Sequence, residues 1–246
     1  MLDHPIFSES IALIRALLGE RAAADPELAG RLAGWDPLER DVLERCIHSS
    51  GDPAISTLLR FTPGACAAGV AALRAGAPIL TDTAMAAAAV APMAGRTFAN
   101  RVASVLAWAP AVAPAGSTRA AAGMAAALAE LGGCDPGGPG AAAGAPVVLI
   151  GSAPTALEVL LAQVARGTVA APALVIGMPV GFVGVEQSKR HLAASGLAHV
   201  GLEGSKGGAA LVAAACNALL RAGWLQAASA PSPESPAAAS PSPCSG

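Results

Sequence analysis

Five short apolar runs constrain this chain more than any other feature: Pro78–Thr81, Val102–Leu106, Val147–Ile150, Leu174–Ile176 and His199–Leu202. Each is too short for a helix, and each hands over to a stretch with helical spacing, at about 83–91, 118–130, 154–166, 185–194 and 208–221. Strands that are apolar on both faces must be covered on both faces. Alternation with helices therefore predicts βα units on a mostly parallel five-stranded sheet, an α/β domain of three layers, α/β/α. Three helices are expected before the first strand. One covers 6–18, with Phe7, Ile11, Ile14 and Leu18 at helical spacing and Gly19 as a stop. The second covers 36–49, opened by Asp36-Pro37 and closed before Gly51, and the third covers 63–75.

Residues 1–226 are expected to form one domain. Residues 132–146, GGCDPGGPGAAAGAP, read as a loop between a helix and a strand. Residues 227–246 are Pro, Ser and Ala with almost no apolar periodicity, which predicts a disordered tail.

Composition excludes several classes of function. With a net charge of −2 there is no basic stripe for nucleic acid, and 3% aromatic residues leave almost no platforms for stacking bases. Five cysteines (Cys46, Cys66, Cys134, Cys216 and Cys244) show no C-x-x-C pair, so neither a disulfide framework nor a structural metal site is expected. Reduced thiols and an N-terminus unlike a signal peptide suggest a cytoplasmic protein. Residues 141–165 imitate a membrane span, with Glu158 the sole charge. Pro146, Pro154 and the Gly151-Ser152 turn argue instead for a buried strand leading into a helix, and no membrane partner is expected.

Ligands of parallel sheets bind beyond the C-terminal strand ends. Here those ends carry Gly151-Ser-Ala-Pro-Thr155, Gly177-Met-Pro-Val-Gly-Phe-Val-Gly184 and Gly204-Ser-Lys-Gly-Gly208, and Gly116-Ser-Thr-Arg119 opens another helix. Free N–H groups at such helix starts suit phosphate or carboxylate, although glycines also serve simply to turn a strand into a helix. The phosphate-binding, serine-hydrolase and zinc-protease motifs are all missing.

The helix over 36–49 is the most informative. At about 100° per residue, Val42, Leu43, Cys46 and Ile47 form its buried face, and Asp41, Arg45 and His48 share the opposite one. The plain alternative is a surface Asp41–Arg45 pair with a histidine stabilising the last turn. Asp82 closes the first strand and reads as a cap for the next helix.

Four segments carry a resemblance: Arg45-Cys-Ile-His48-Ser-Ser-Gly-Asp52, Ala75-Gly-Ala-Pro-Ile-Leu-Thr-Asp82, Gly151-Ser-Ala-Pro-Thr-Ala-Leu157, and Gly177-Met-Pro-Val-Gly-Phe-Val-Gly184 with Ser188-Lys189. Over roughly residues 4–221 the chain resembles the precorrin-8X methylmutases of corrin biosynthesis. The resemblance implies a flavodoxin-like sheet, a homodimer with its active site near the subunit interface, and a tetrapyrrole substrate. It implies an isomerase that moves a methyl group at ring C, with no cofactor. The family's catalytic histidine falls on His48. Substrate contacts fall on Ser10, Arg45, Thr118 and Arg119, and on Ser152, which stands with Ser117 where asparagine is usual. Glu203 and Ser205 occupy a usually basic stretch. A different class of protein, a tetrapyrrole carrier without turnover, would need no ionisable group at ring C.

Overall fold

In the computed structural model, described over residues 3–131 and 144–229, six strands form one sheet in the order β1-β6-β5-β4-β2-β3. The strands are β1 (Leu59–Phe61), β2 (Ile79–Thr81), β3 (Val102–Ser104), β4 (Val147–Ile150), β5 (Leu174–Gly177) and β6 (His199–Leu202). All neighbours run parallel except β1, which pairs antiparallel with β6. The expected α/β/α architecture is observed, with a sixth strand that was not expected. Three residues with arginine in the middle offer no periodicity to read. The run expected at 102–106 splits into β3 and a 3₁₀ turn at Val105–Ala107.

Side chains alternate between two cores, as the pleat requires. Ile79, Val147, Leu149, Leu174 and Ile176 enter one, shared with the helices α1 (Pro5–Ala24), α3 (Pro37–Ser50), α5 (Ala65–Arg74), α6 (Ala84–Arg96) and α10 (Ala209–Ser229). Leu80, Val148, Ile150 and Val175 enter the other, under α7 (Arg119–Leu131), α8 (Pro154–Ala165) and α9 (Val185–Ala194). Two short helices, α2 (Pro26–Gly34) and α4 (Ile55–Leu58), complete the described residues. The loop expected at 132–146 lies mostly outside them.

Several boundaries move. Gly19 does not stop α1, and α2 was not expected, although Asp25 accepts from the N–H groups of Glu27 and Leu28 ahead of Pro26. Pro92 sits inside α6, which ends at Arg96 rather than 91. Helix α10 runs to Ser229, three residues beyond the expected domain end. It is long and apolar enough to cross a membrane, but 61% of that stretch is buried in the molecule. The imitation span at 141–165 resolves into β4 and α8.

Candidate functional site

Helix α3 forms for reasons visible in its sequence. Asp36 accepts from the Glu39 N–H while the Glu39 carboxylate accepts from the Asp36 N–H, a reciprocal cap with Pro37 in the first turn. Gly51, left-handed at φ +66°, ends the helix and returns its N–H to the Ile47 carbonyl at 2.8 Å. Val42, Leu43, Cys46 and Ile47 are buried as expected, and burial pushes the Cys46 thiol up to about 12, which leaves it unreactive.

The opposite face meets α1. Ser10 Oγ lies 2.7 Å from His48 Nδ1. Phe7, one turn earlier on α1, carries the Arg45 guanidinium 4.6 Å from its ring centroid. Thus Ser10, Arg45 and His48, three of the expected site residues, are brought together. His48 remains exposed and Arg45 is half-buried, with burial the main influence holding its pKa below the ordinary value. The Asp41–Arg45 surface pair does not form. Asp41 instead lies 4.0 Å from Arg221 of α10, and burial raises its pKa.

Charges that sequence reasoning passed over complete this face. Glu44 is buried and takes a bidentate pair of hydrogen bonds from Arg15, at 2.7 and 2.8 Å. Arg221 donates at 2.6–2.9 Å to the Asp3 carboxylate. Partners 29 and 218 residues apart give no local signal of such pairing. A cavity of about 160 Å³ is lined by Phe7, Arg15, Asp41, Glu44, Arg45 and Arg221, among others.

The other expected residues form a second group, at the starts of α7 and α8. Thr118 Oγ1 accepts from the Ala121 N–H and shares a 2.8 Å hydrogen bond with Thr155 Oγ1, which joins the two helix starts. Arg119 Nε donates to the Pro110 carbonyl at 2.9 Å. Ser152 keeps its hydroxyl unengaged among the described residues, but its N–H is not free.

That last point corrects the expectation of open anion-binding loops. Asp82 does not cap α6, whose cap is Thr83. Its Oδ2 accepts from the N–H groups of Gly151, Ser152 and Ala153 at 3.1, 2.6 and 2.8 Å. The donors at the crevice between β2 and β4, where strand order reverses, are therefore filled by the protein's own carboxylate. Asp82 is fully buried. Desolvation raises its pKa, against the opposing pull of those three N–H groups. The other loops bond one another: Val180 N–H to Gly151 O, Gly181 N–H to Ser205 O and Gly208 N–H to Met178 O. A Cβ at Gly207 would stand 2.0 Å from the Met178 carbonyl oxygen, so only glycine permits that stacking.

Lys206, in the loop after β6, pairs with Asp52 just beyond α3, and Lys189 Nζ donates to the Gly204 and Lys206 carbonyls at 2.7 and 2.6 Å. These contacts set the His48 end of α3 at the same C-terminal strand edge as Ser152. Yet the cavity beside Arg45 and a groove of about 440 Å³ beside Ser117 and Thr155 share no lining residue. Among the described residues, no cluster of His, Cys, Asp or Glu has the arrangement of a metal site. Of the other histidines, His4 caps α1, His191 meets Glu158 at 2.8 Å, and His199 is buried at the start of β6.

Known proteins match this chain over nearly its whole length. The precorrin-8X methylmutase family model matches residues 5–222, which include every residue of both groups. A precorrin-8X methylmutase of Pseudomonas aeruginosa is 41% identical over 219 residues, 87% of this chain and 93% of that one. A cobalt-precorrin-8 methylmutase of Synechocystis is 34% identical over 237 residues, 91% and 97% of the two chains. The crystal structure of a Thermus thermophilus precorrin-8X methyl mutase superimposes with a TM-score of 0.71 at 37% identity, covering 89% of this chain and 98% of that one. With its sheet, its strand-edge loops and its length all accounted for, this chain belongs to the precorrin-8X methylmutase family.

Proposed function

We propose that the chain isomerises precorrin-8X, or its cobalt form, by moving the ring-C methyl from C-11 to C-12, giving hydrogenobyrinate or cobyrinate. The family is one of isomerases in corrin biosynthesis, and the observation that carries the reading here is the Ser10–His48–Arg45 group. Ser10 engages Nδ1 of His48, which leaves Nε2 for the macrocycle. An imidazole nitrogen can both donate and accept a proton, so it can give one to a ring nitrogen and recover it within one turnover. The methyl migration is intramolecular and redox-neutral, so the protein's task is to hold one conformer and one tautomer of the ring.

Acetate and propionate groups on the substrate suit Arg45 and Arg119, with the hydroxyls of Thr118 and Ser152 beside them. The two residue groups stand apart in one chain, and the cavity beside Arg45 shares no lining residue with the groove beside Ser117 and Thr155. A homodimer that lays the macrocycle across a subunit interface lets both groups act on one substrate. Val180, Phe182 and Val183 expose apolar surface at the same strand edge, which supports that arrangement. A cytoplasmic location without nucleic-acid or membrane partners fits the near-neutral charge and the buried packing of α10.

The test is an absorbance spectrum after mixing the protein with precorrin-8X. Appearance of the corrin chromophore supports the isomerase. Binding without conversion would instead make it a tetrapyrrole carrier.

A further inference from the structure

Phe7 meets two of the residues the resemblance implies, Arg45 and His48. It precedes Ser10 by three residues on α1, as Arg45 precedes His48 by three on α3, so the two pairs face each other in register. The Phe7 ring carries Arg45 at 4.6 Å and meets the His48 ring at 5.1 Å with an interplanar angle of 87°. Arg221, itself fixed by Asp3, lies 5.7 Å from the same centroid. Among the described residues, no hydrogen bond or ion pair engages the Arg45 guanidinium. A long, half-buried cation with all its donors unengaged is otherwise at liberty to change rotamer. The aromatic face is the contact that orients its plane.

We propose that Phe7 is a positioning residue for the methyl shift, holding the Arg45 guanidinium and the His48 imidazole in one mutual orientation. A substrate carboxylate on the first is then placed so that ring C meets the second. Ser10 fixes His48 from one side through Nδ1, and Phe7 fixes the plane of the ring. The proposal rests on the reading of His48 and Arg45 given above. Misplacement of a reacting group by about 1 Å is enough to cost a hundredfold in rate. A leucine at position 7 would fill similar space without an aromatic face or edge. Phe7 is partly exposed and packs on the edge of the core, where a leucine keeps an apolar contact.

The experiment compares Phe7→Leu and Phe7→Tyr with the parent protein. It reads kcat and KM on precorrin-8X, Kd for the corrin product, melting temperature, and the His48 ring-proton chemical shifts by NMR. Phe7→Leu should lower kcat by about 10- to 100-fold. It should weaken product binding by about three- to tenfold through Arg45 and abolish the ring-current displacement of the His48 signals. Phe7→Tyr should restore all three to within about threefold, since it keeps the ring. Parent-like kcat and Kd in Phe7→Leu would overturn the proposal. So would a loss that Phe7→Tyr does not recover, or one that follows the melting temperature alone. His48→Ala and Arg45→Ala serve as references. If both remain active, the reading of the site fails; if both are impaired and Phe7→Leu is not, the role of Phe7 alone fails.

Discussion

Ser10 and His48 stand thirty-eight residues apart in sequence and 2.7 Å apart in space, on two helices that cross the same edge of the molecule. The hydroxyl has one strong partner, and the imidazole has one nitrogen held and one exposed. His48→Ala or His48→Asn should therefore cut turnover by about two to four orders of magnitude, because a positioned acid contributes about that much. Product binding should be nearly preserved. Ser10→Ala should reduce kcat by about tenfold, a fraction of the full acid–base effect, since it frees the ring without removing it. The chromophore change measures turnover, and titration with the corrin product measures binding. A His48 variant with parent-like turnover would remove the histidine from the chemistry.

Arg119 tests the second group. Its Nε is fixed on the Pro110 carbonyl, which leaves the outer guanidinium nitrogens for a carboxylate. Arg119→Ala should weaken product binding by about 1.5–3 kcal/mol, as expected for a hydrogen bond to a charged group. An unchanged dissociation constant would return Arg119 to an ordinary loop contact.

Asp82 is predicted to matter for stability. Asp82→Ala would leave the N–H groups of Gly151, Ser152 and Ala153 without their acceptor, and unsatisfied buried donors cost about 1–3 kcal/mol each. A total near 3 kcal/mol is expected, because water can reach part of the turn. Asp82→Asn keeps an acceptor oxygen and should cost less than half as much. Denaturant unfolding of the two variants gives the comparison, and equal losses would show that the acceptor is not what matters.

Lys189 gives a pH dependence of unusual sign. Burial pushes its ammonium down to about 8 from an ordinary 10.5. The folded state therefore releases this proton before the unfolded chain does. Between those two values the unfolded chain binds more protons, so the contribution of Lys189 to stability rises with pH. The neutral amine keeps two N–H donors, enough for the Gly204 and Lys206 carbonyls. Relative to Lys189→Met, the parent protein should gain stability between pH 8 and pH 10. A gap that stays flat or narrows would show that the amine is not strained by burial.

Removing residues 230–246 should shift the melting temperature by no more than about 2 °C, because Pro, Ser and Ala without apolar periodicity bury little surface. Cutting after Gly223 should be far more damaging. It removes Trp224, whose ring meets Phe98 at 5.7 Å across the end of α10. Thermal melts of both truncations decide the matter.

What could be read from the sequence was local. The caps of α3 at Asp36 and Gly51, the apolar runs of β2, β4, β5 and β6, and the shared face of Arg45 and His48 all follow from spacing within one or two turns. Strand β1 escaped because Leu59-Arg60-Phe61 becomes a strand only through its ladder with β6. The end expected at residue 91 does not occur, because α6 continues through Pro92 with Met93 and Ala94 packed in the core shared with α10. The role of Asp82 was misread for the same kind of reason: its nearest helix start is α6, but its donors lie sixty-nine to seventy-one residues away. Ser10 emerged from the resemblance alone, and nothing in α1 itself distinguishes it from Ser8.

The antiparallel ladder of β1 on β6 bears on the timing of synthesis. Leu59 pairs with Leu202 and Phe61 with Val200, directly after the segment that carries His48. A ribosome therefore makes the histidine helix in the first quarter of the chain, but its anchoring strand has no partner until about 140 further residues have emerged. Contacts so distant in sequence form slowly and late. A nascent or prematurely terminated chain would hold the histidine without the strand edge that locates it, so chemical competence waits on near-complete translation.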